Sequence, residues 1–142
     1  MFLEKIRRWL GCPARRSPTP DEAFGQWGEA QAVRHYRAQG ATILARNWRH
    51  GLDELDLVVW ERQVLVFVEV KTRRAEQGGA GYLAVDNRKK KAVRRAAYGW
   101  LRQVGGAPAR RFDIVEVLVC HRGTVRILQH RGVLLFGRRR PR

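Results

Sequence analysis

The sequence predicts an α/β domain: a small mixed β-sheet with helices packed on it. A capped, apolar-striped helix opens the orderly part of the chain, three strand-length apolar runs follow, and a second striped helix separates these from two further strand-like runs. A strand, a crossover helix and another strand favour a right-handed parallel connection, so the sheet mixes both pairing directions. At 142 residues, 44% hydrophobic and 30% charged, the chain has one domain's length and enough apolar material to bury a core. No internal repeat is visible.

The first helix is announced by "TPDE" at 19–22, with Thr19 as N-cap, Pro20 at the first helical position and Glu22 at the third, a capping box. It should run from about Pro20 to Gln39 and stop at Gly40. Phe24, Trp27, Ala30, Val33 and Tyr36 recur on its drifting apolar face, and Gly25, Gly28 and Ala32 thin its surface near Glu29. Two interior glycines each cost about 1 kcal/mol relative to Ala. Close approach to another element is the expected compensation.

Strands are expected at 42–48 ("TILARNW"), 54–60 ("ELDLVVW") and 64–71 ("VLVFVEVK"), the last two joined by a short "ERQ" turn. The third is apolar at both parities, as a central strand covered on both faces should be. The Gly-rich stretch "TRRAEQGGAGYLAV" lacks the following Gly-Lys-Ser/Thr of a phosphate loop and reads as a connection or a closing loop. A helix from about Asp86 to Val104 carries the stripe Val93, Ala96, Ala97, Trp100, Leu101 and Val104. "RFDIVEVLVC" and "TVRILQH" complete the strands.

Residues 1–20 contain Glu4, Lys5, Arg7 and Arg8 where an export signal needs apolar residues, and are broken by Pro13, Pro18 and Pro20. They read as a flexible basic N-terminal arm, and residues 137–142 as a basic C-terminal tail, flanking a domain at 21–136. No stretch approaches the roughly 18 apolar residues of a membrane span. Cys12 and Cys120 form no metal-binding pair, which fits free thiols in a reducing cytoplasm.

Charge points to the partner. Twenty-nine Lys plus Arg face 13 Asp plus Glu, a formal +16, and such a field attracts polyanions. Nucleic acid is the expected partner class, with a ribosome-associated or acidic-membrane protein as the bland competitor. Arg88, Lys89, Lys90 and Lys91 at the second helix's start would set side-chain charge beside free backbone amides, a seat for phosphate, although such a run is often only a solvated helix face. Arg73 and Arg74 are better placed to hold a nucleic-acid backbone.

Within "VFVEVKTRR", Glu69 and Lys71 share one face of a strand, because side chains two apart project together. Glu54 and Asp56 share a face of the preceding strand by the same rule. Pairing these strands as a hairpin with matching charged faces would gather three carboxylates and one ammonium near one sheet end. Carboxylate oxygens suit Mg²⁺ or Mn²⁺, ions that activate water against a phosphate, and a lysine beside them can orient or help deprotonate that water. Only five of the 29 basic residues are lysine, so Lys71 is a mild chemical choice in an arginine-rich chain. A strand-capping ion pair is the structural alternative. His35, His50, His121 and His130 show no ligand spacing, which argues against zinc chemistry, and Asp113 reads as a structural partner of Arg110 or Arg111.

Asp56, twelve intervening residues and then "EVK" resemble the signature of the PD-(D/E)XK nuclease superfamily. More closely, "GQWGEAQAVRHYRAQGATILARNWR", "ELDLVVW", "VFVEVKTRR" and "RFDIVEV", in this order, resemble the bacterial endonuclease-like family often called YraN, related to Holliday junction resolvases. The resemblance implies a restriction-endonuclease-like αβββαβ core, dependence on Mg²⁺ or Mn²⁺, and endonuclease action on DNA in preference to RNA, with branched or structured DNA as a candidate substrate. It assigns Asp56, Glu69 and Lys71 as catalytic, and Glu29, Glu54, Asp56 and Glu69 as the metal-facing set, with Asp53 where the family usually has glycine. A nuclease-fold DNA or RNA binder without turnover is the alternative. A two-fold dimer would suit a symmetric junction.

Overall fold

The computed structural model describes residues 17–77, 85–106 and 109–135. Most of the expected N-terminal arm, the C-terminal tail, Cys12 and the glycines at 78–81 lie outside these residues.

Helix α1 spans Pro20–Ala38. Its capping box forms as expected: the Thr19 hydroxyl accepts from the Glu22 amide at 3.3 Å, and Glu22 accepts from the Thr19 amide at 2.8 Å. Strands β1 (Thr42–His50), β2 (Asp53–Glu61) and β3 (Val64–Arg74) follow as consecutive antiparallel neighbours. Arg62 and Gln63 make the β2–β3 turn at φ 47° and 64°, the left-handed pair that matches strand twist in a tight hairpin. Helix α2 (Asn87–Val104) crosses to β4 (Arg110–Val119), which pairs parallel with β3, and β5 (Val125–His130) returns antiparallel. The sheet order is β1-β2-β3-β4-β5, a mixed sheet flanked by two helices.

Each helix seals one face. Ala32, Val33 and Tyr36 of α1 pack on Leu57, Val59, Val66, Val68, Val115 and Val117, while Val93, Ala96, Ala97, Trp100 and Leu101 of α2 pack on Val58, Leu65, Phe67, Phe112 and Ile114. Strand β3 is therefore buried on both faces, which explains its unbroken apolar run. The α1 face differs from the expected stripe. Gly28, Ala32, Val33 and Tyr36 are its buried positions, and Trp27 stays 37% exposed.

Gly28 explains the turn of that face. A Cβ there would stand 1.8 Å from the Thr72 hydroxyl oxygen of β3, so helix and strand approach as only glycine allows. Its neighbour Glu29 is thereby brought to the end of the sheet. Gly25 meets nothing within 4 Å and has no such role.

A second device works beneath the C-terminal half of α1. Asp113 accepts from the Tyr36 hydroxyl (2.8 Å), the Gln129 amide (3.0 Å), the Arg111 guanidinium (2.9 Å) and the Gly132 amide (3.1 Å). Arg111 also reaches Glu61, which Arg131 approaches from the turn just past β5. Burial, then the Asp113 charge, pushes the Tyr36 hydroxyl far up, so it stays a donor.

Candidate metal centre and nucleic-acid interface

The β2–β3 ladder runs from Glu61↔Val64 to Leu57↔Val68. One step further, the same register sets Asp56 opposite Glu69, and directly opposed residues share a face. There the backbone ladder gives way to a side chain: the Asp56 carboxylate accepts from the Val70 amide at 2.8 Å. Alternation also breaks at this point, since Leu55 joins the core beneath α2 and Leu57 the core beneath α1. Asp56 sits where β2 changes face.

Glu69 is 2% exposed and its Oε1 lies 3.3 Å from the Lys71 ammonium and 3.3 Å from that of Lys89. Lys89 comes from the first turn of α2, oriented by Asp86, whose carboxylate caps the helix by accepting from the Lys89 amide at 2.8 Å. That amide is consequently engaged, so the expected phosphate seat of free amides is altered: it is the Lys89 side chain that turns inward. Arg88 and Lys91 are exposed and Lys90 half-buried on the same turns.

From α1, Glu29 faces the same region and is hydrogen-bonded by the Asn47 side chain. Asn47 adopts φ 48° inside β1, a left-handed kink that Asn tolerates better than most residues. Sequence reasoning missed both Asn47 and the inward turn of Lys89. An Asn in a strand-like run was the available signal for the first.

Electrostatics bind these groups together. Burial foremost, then the Glu69 charge, holds the Asp56 carboxyl well above its ordinary range, with Glu29 adding and the Val70 amide and Lys89 opposing. Burial also raises Glu29, with further push from Glu54 and Glu69. Burial alone would lower Lys89, but Glu69 and Asp56 outweigh it and its ammonium is favoured. Carboxylates so raised are short of positive charge.

Glu54 Oε2 accepts from the exposed Arg49 at 3.1 Å, and the Glu54 charge acts on both Glu29 and Lys89. Asp53 is held by the Arg95 guanidinium at 2.8 and 2.9 Å, which directs its carboxylate onto α2. Beyond Lys71, Arg73 is half-buried and Arg74 exposed, its guanidinium 5.8 Å above the Phe24 ring.

Among the described residues, no three His, Cys, Asp or Glu side chains form a ready cation cage. The donor chemistry nevertheless fits a hard cation. Glu29 Oε2 and Glu69 Oε2 are both buried and accept no hydrogen bond, an omission worth about 1–3 kcal/mol each. Magnesium typically takes one or two carboxylates and completes its shell with waters and substrate phosphates.

Comparison with known proteins gives a consistent picture. The sequence profile described as "Uncharacterised protein family UPF0102" matches residues 28–117. A UPF0102 protein of a Parafrankia species is 44% identical over 78% of this chain and 95% of its own length. Those of Frankia alni and Streptomyces coelicolor are 46% and 41% identical, each over 78% of this chain and over 93% and 88% of their own lengths.

Proposed function

The chain belongs to the uncharacterised protein family UPF0102, and on that premise we propose that it is a metal-dependent endonuclease hydrolysing phosphodiester bonds in DNA. One observation carries the reading: buried carboxylate oxygens of Glu29 and Glu69 lack any donor beside Asp56 and Lys71. Structural carboxylates are normally satisfied.

Asp56, Glu69 and Glu29 would hold Mg²⁺ or Mn²⁺, which when bound polarises the scissile phosphate and acidifies water. The Val70 amide fixes Asp56, Asn47 fixes Glu29, and Glu69 holds the Lys71 amine at the same face. Lys71 orients the attacking water; as that water gives up a proton to solvent and its oxygen bonds to phosphorus, the bond to the leaving sugar oxygen breaks, and that oxygen takes up a proton from solvent. Arg73, Arg74, Arg88, Lys90 and Lys91 supply phosphate contacts without reading base sequence. No described helix is long and apolar enough to cross a membrane, and Cys120 is a free thiol, both in keeping with a cytoplasmic nuclease.

A binder without turnover is favoured by one observation, that Lys71 and Lys89 already neutralise one oxygen of Glu69. Labelled linear, nicked and four-way DNA incubated with Mg²⁺ or Mn²⁺ separates the two. Cutting that vanishes in Glu69→Ala and Lys71→Ala supports the nuclease; cutting undiminished in both removes this site. Should about six phosphates be neutralised, log K falls with log salt at a slope of about −5, and a flat response removes the nucleic-acid reading.

A further inference from the structure

The exposed end of α1 carries a feature that the proposed hydrolysis does not use. Phe24 and Trp27, one turn apart, lie parallel, with ring centroids 6.1 Å apart and planes within 4°. Trp27 is 37% exposed and the Arg74 guanidinium covers Phe24. Neither aromatic belongs to the buried core clusters.

Its place matters. Gly28, the residue after Trp27, presses on Thr72, the residue after Lys71. Arg74 is three residues past Lys71, about 10 Å along an extended strand. The rings therefore flank the strand end that carries the candidate centre, on the same helix that supplies Glu29.

We propose that Phe24 and Trp27 form a stacking platform for an unpaired nucleobase, so that the preferred substrate has single-stranded character at or beside the cut. This deepens the nuclease reading and rests on it, although its test reads binding alone. In continuous duplex the base faces are occupied by neighbouring pairs, whereas an unpaired base offers a free π-face. A ring next to a guanidinium complements it, because the base stacks while Arg74 and Arg73 meet its phosphates. Charge and ring together select a strand with exposed bases.

Binding is measured in EDTA, so that no cutting intervenes, with a blunt duplex, the same duplex bearing a short single-stranded tail, and that duplex with an abasic tail. Wild-type protein should prefer the tailed duplex by about tenfold or more, and the abasic tail should erase the preference although its phosphates remain. The ratio of tailed to blunt affinity should fall toward one in Trp27→Ala and persist in Trp27→Phe. Equal affinity for tailed and abasic-tailed DNA overturns the proposal, as does an unchanged ratio in a folded Trp27→Ala. The abasic comparison needs no variant, so a misfolded one does not rescue the idea. Absence of metal-dependent cutting would refute the nuclease reading while leaving this preference standing.

Discussion

Asp113 and Glu69 stand one residue apart in the register of the parallel strands β4 and β3, and both are essentially buried. Their surroundings could hardly differ more. Asp113 is ringed by Tyr36, Arg111, Gln129 and the Gly132 amide, whereas Glu69 has one oxygen against two ammonium groups and the other against no donor. Asp113 faces α1 alongside Val115 and Val117; Glu69 alternates with Val68 and faces α2. A fully answered buried charge ties elements together, while an incompletely answered one leaves coordination for something that arrives later.

The largest contrast should appear in activity. Lys71→Ala and Asp56→Asn should lower divalent-dependent cleavage by about 10²–10⁴-fold, while Asp56→Asn, which keeps an acceptor for the Val70 amide but sheds a repelled charge, should melt no lower than wild type. A matching loss of melting temperature in Asp56→Asn would make the site structural. Asp113→Ala should do the reverse, costing about 3–5 kcal/mol in denaturant unfolding by stranding Arg111 and Tyr36. By comparison Glu69→Gln should change stability by less than about 1 kcal/mol, since both lysines can turn to solvent. Equal costs at the two positions would erase the distinction.

Gly28→Ala should cost about 1–3 kcal/mol through overpacking against Thr72, and a double-mutant cycle with Thr72→Gly should recover much of it. No coupling between the two would refute the close contact. The last effect concerns pH. Asp56 and Glu29 have folded-state pKa values above their unfolded ones, so without divalent ion their contribution to stability is present below the ordinary carboxyl pKa and is lost as pH rises through the raised values. A cation that binds the ionised form offsets that loss. Mn²⁺ should therefore stabilise the folded chain more at about pH 8 than at about pH 5, by about 2.7 kcal/mol at 100 times its Kd, read as a larger rise in melting temperature at the higher pH. An increment independent of pH would mean that the ion binds elsewhere.

Much of the fold was legible because its signals are local. Thr19, Pro20 and Glu22 mark one helix start, the apolar stripe of α2 marks its buried face, and Val64–Val68 declare a strand covered on both sides. The convergence of Asp56 with Glu69 followed from two-residue periodicity and hairpin pairing. Less legible were features set by distant partners. The Lys89 ammonium lies on Glu69 only because α2 is laid across the end of β3, a placement that no local pattern encodes. The outward turn of Phe24 and Trp27 depends on Gly28 meeting Thr72, a contact between residues 44 positions apart in sequence. The reversal of side-chain alternation between Leu55 and Leu57 is a twist that no periodicity carries.

The contact of Gly28 with Thr72 makes these two positions a matched pair of gauges. Bulk added at one can be accommodated only by bulk removed from the other, or by prising the helix off the strand and withdrawing its acidic neighbour. Among descendants of this chain, side-chain volumes at the two places should consequently drift in opposite directions, and a lineage enlarging both should have abandoned whatever that glutamate was there to do.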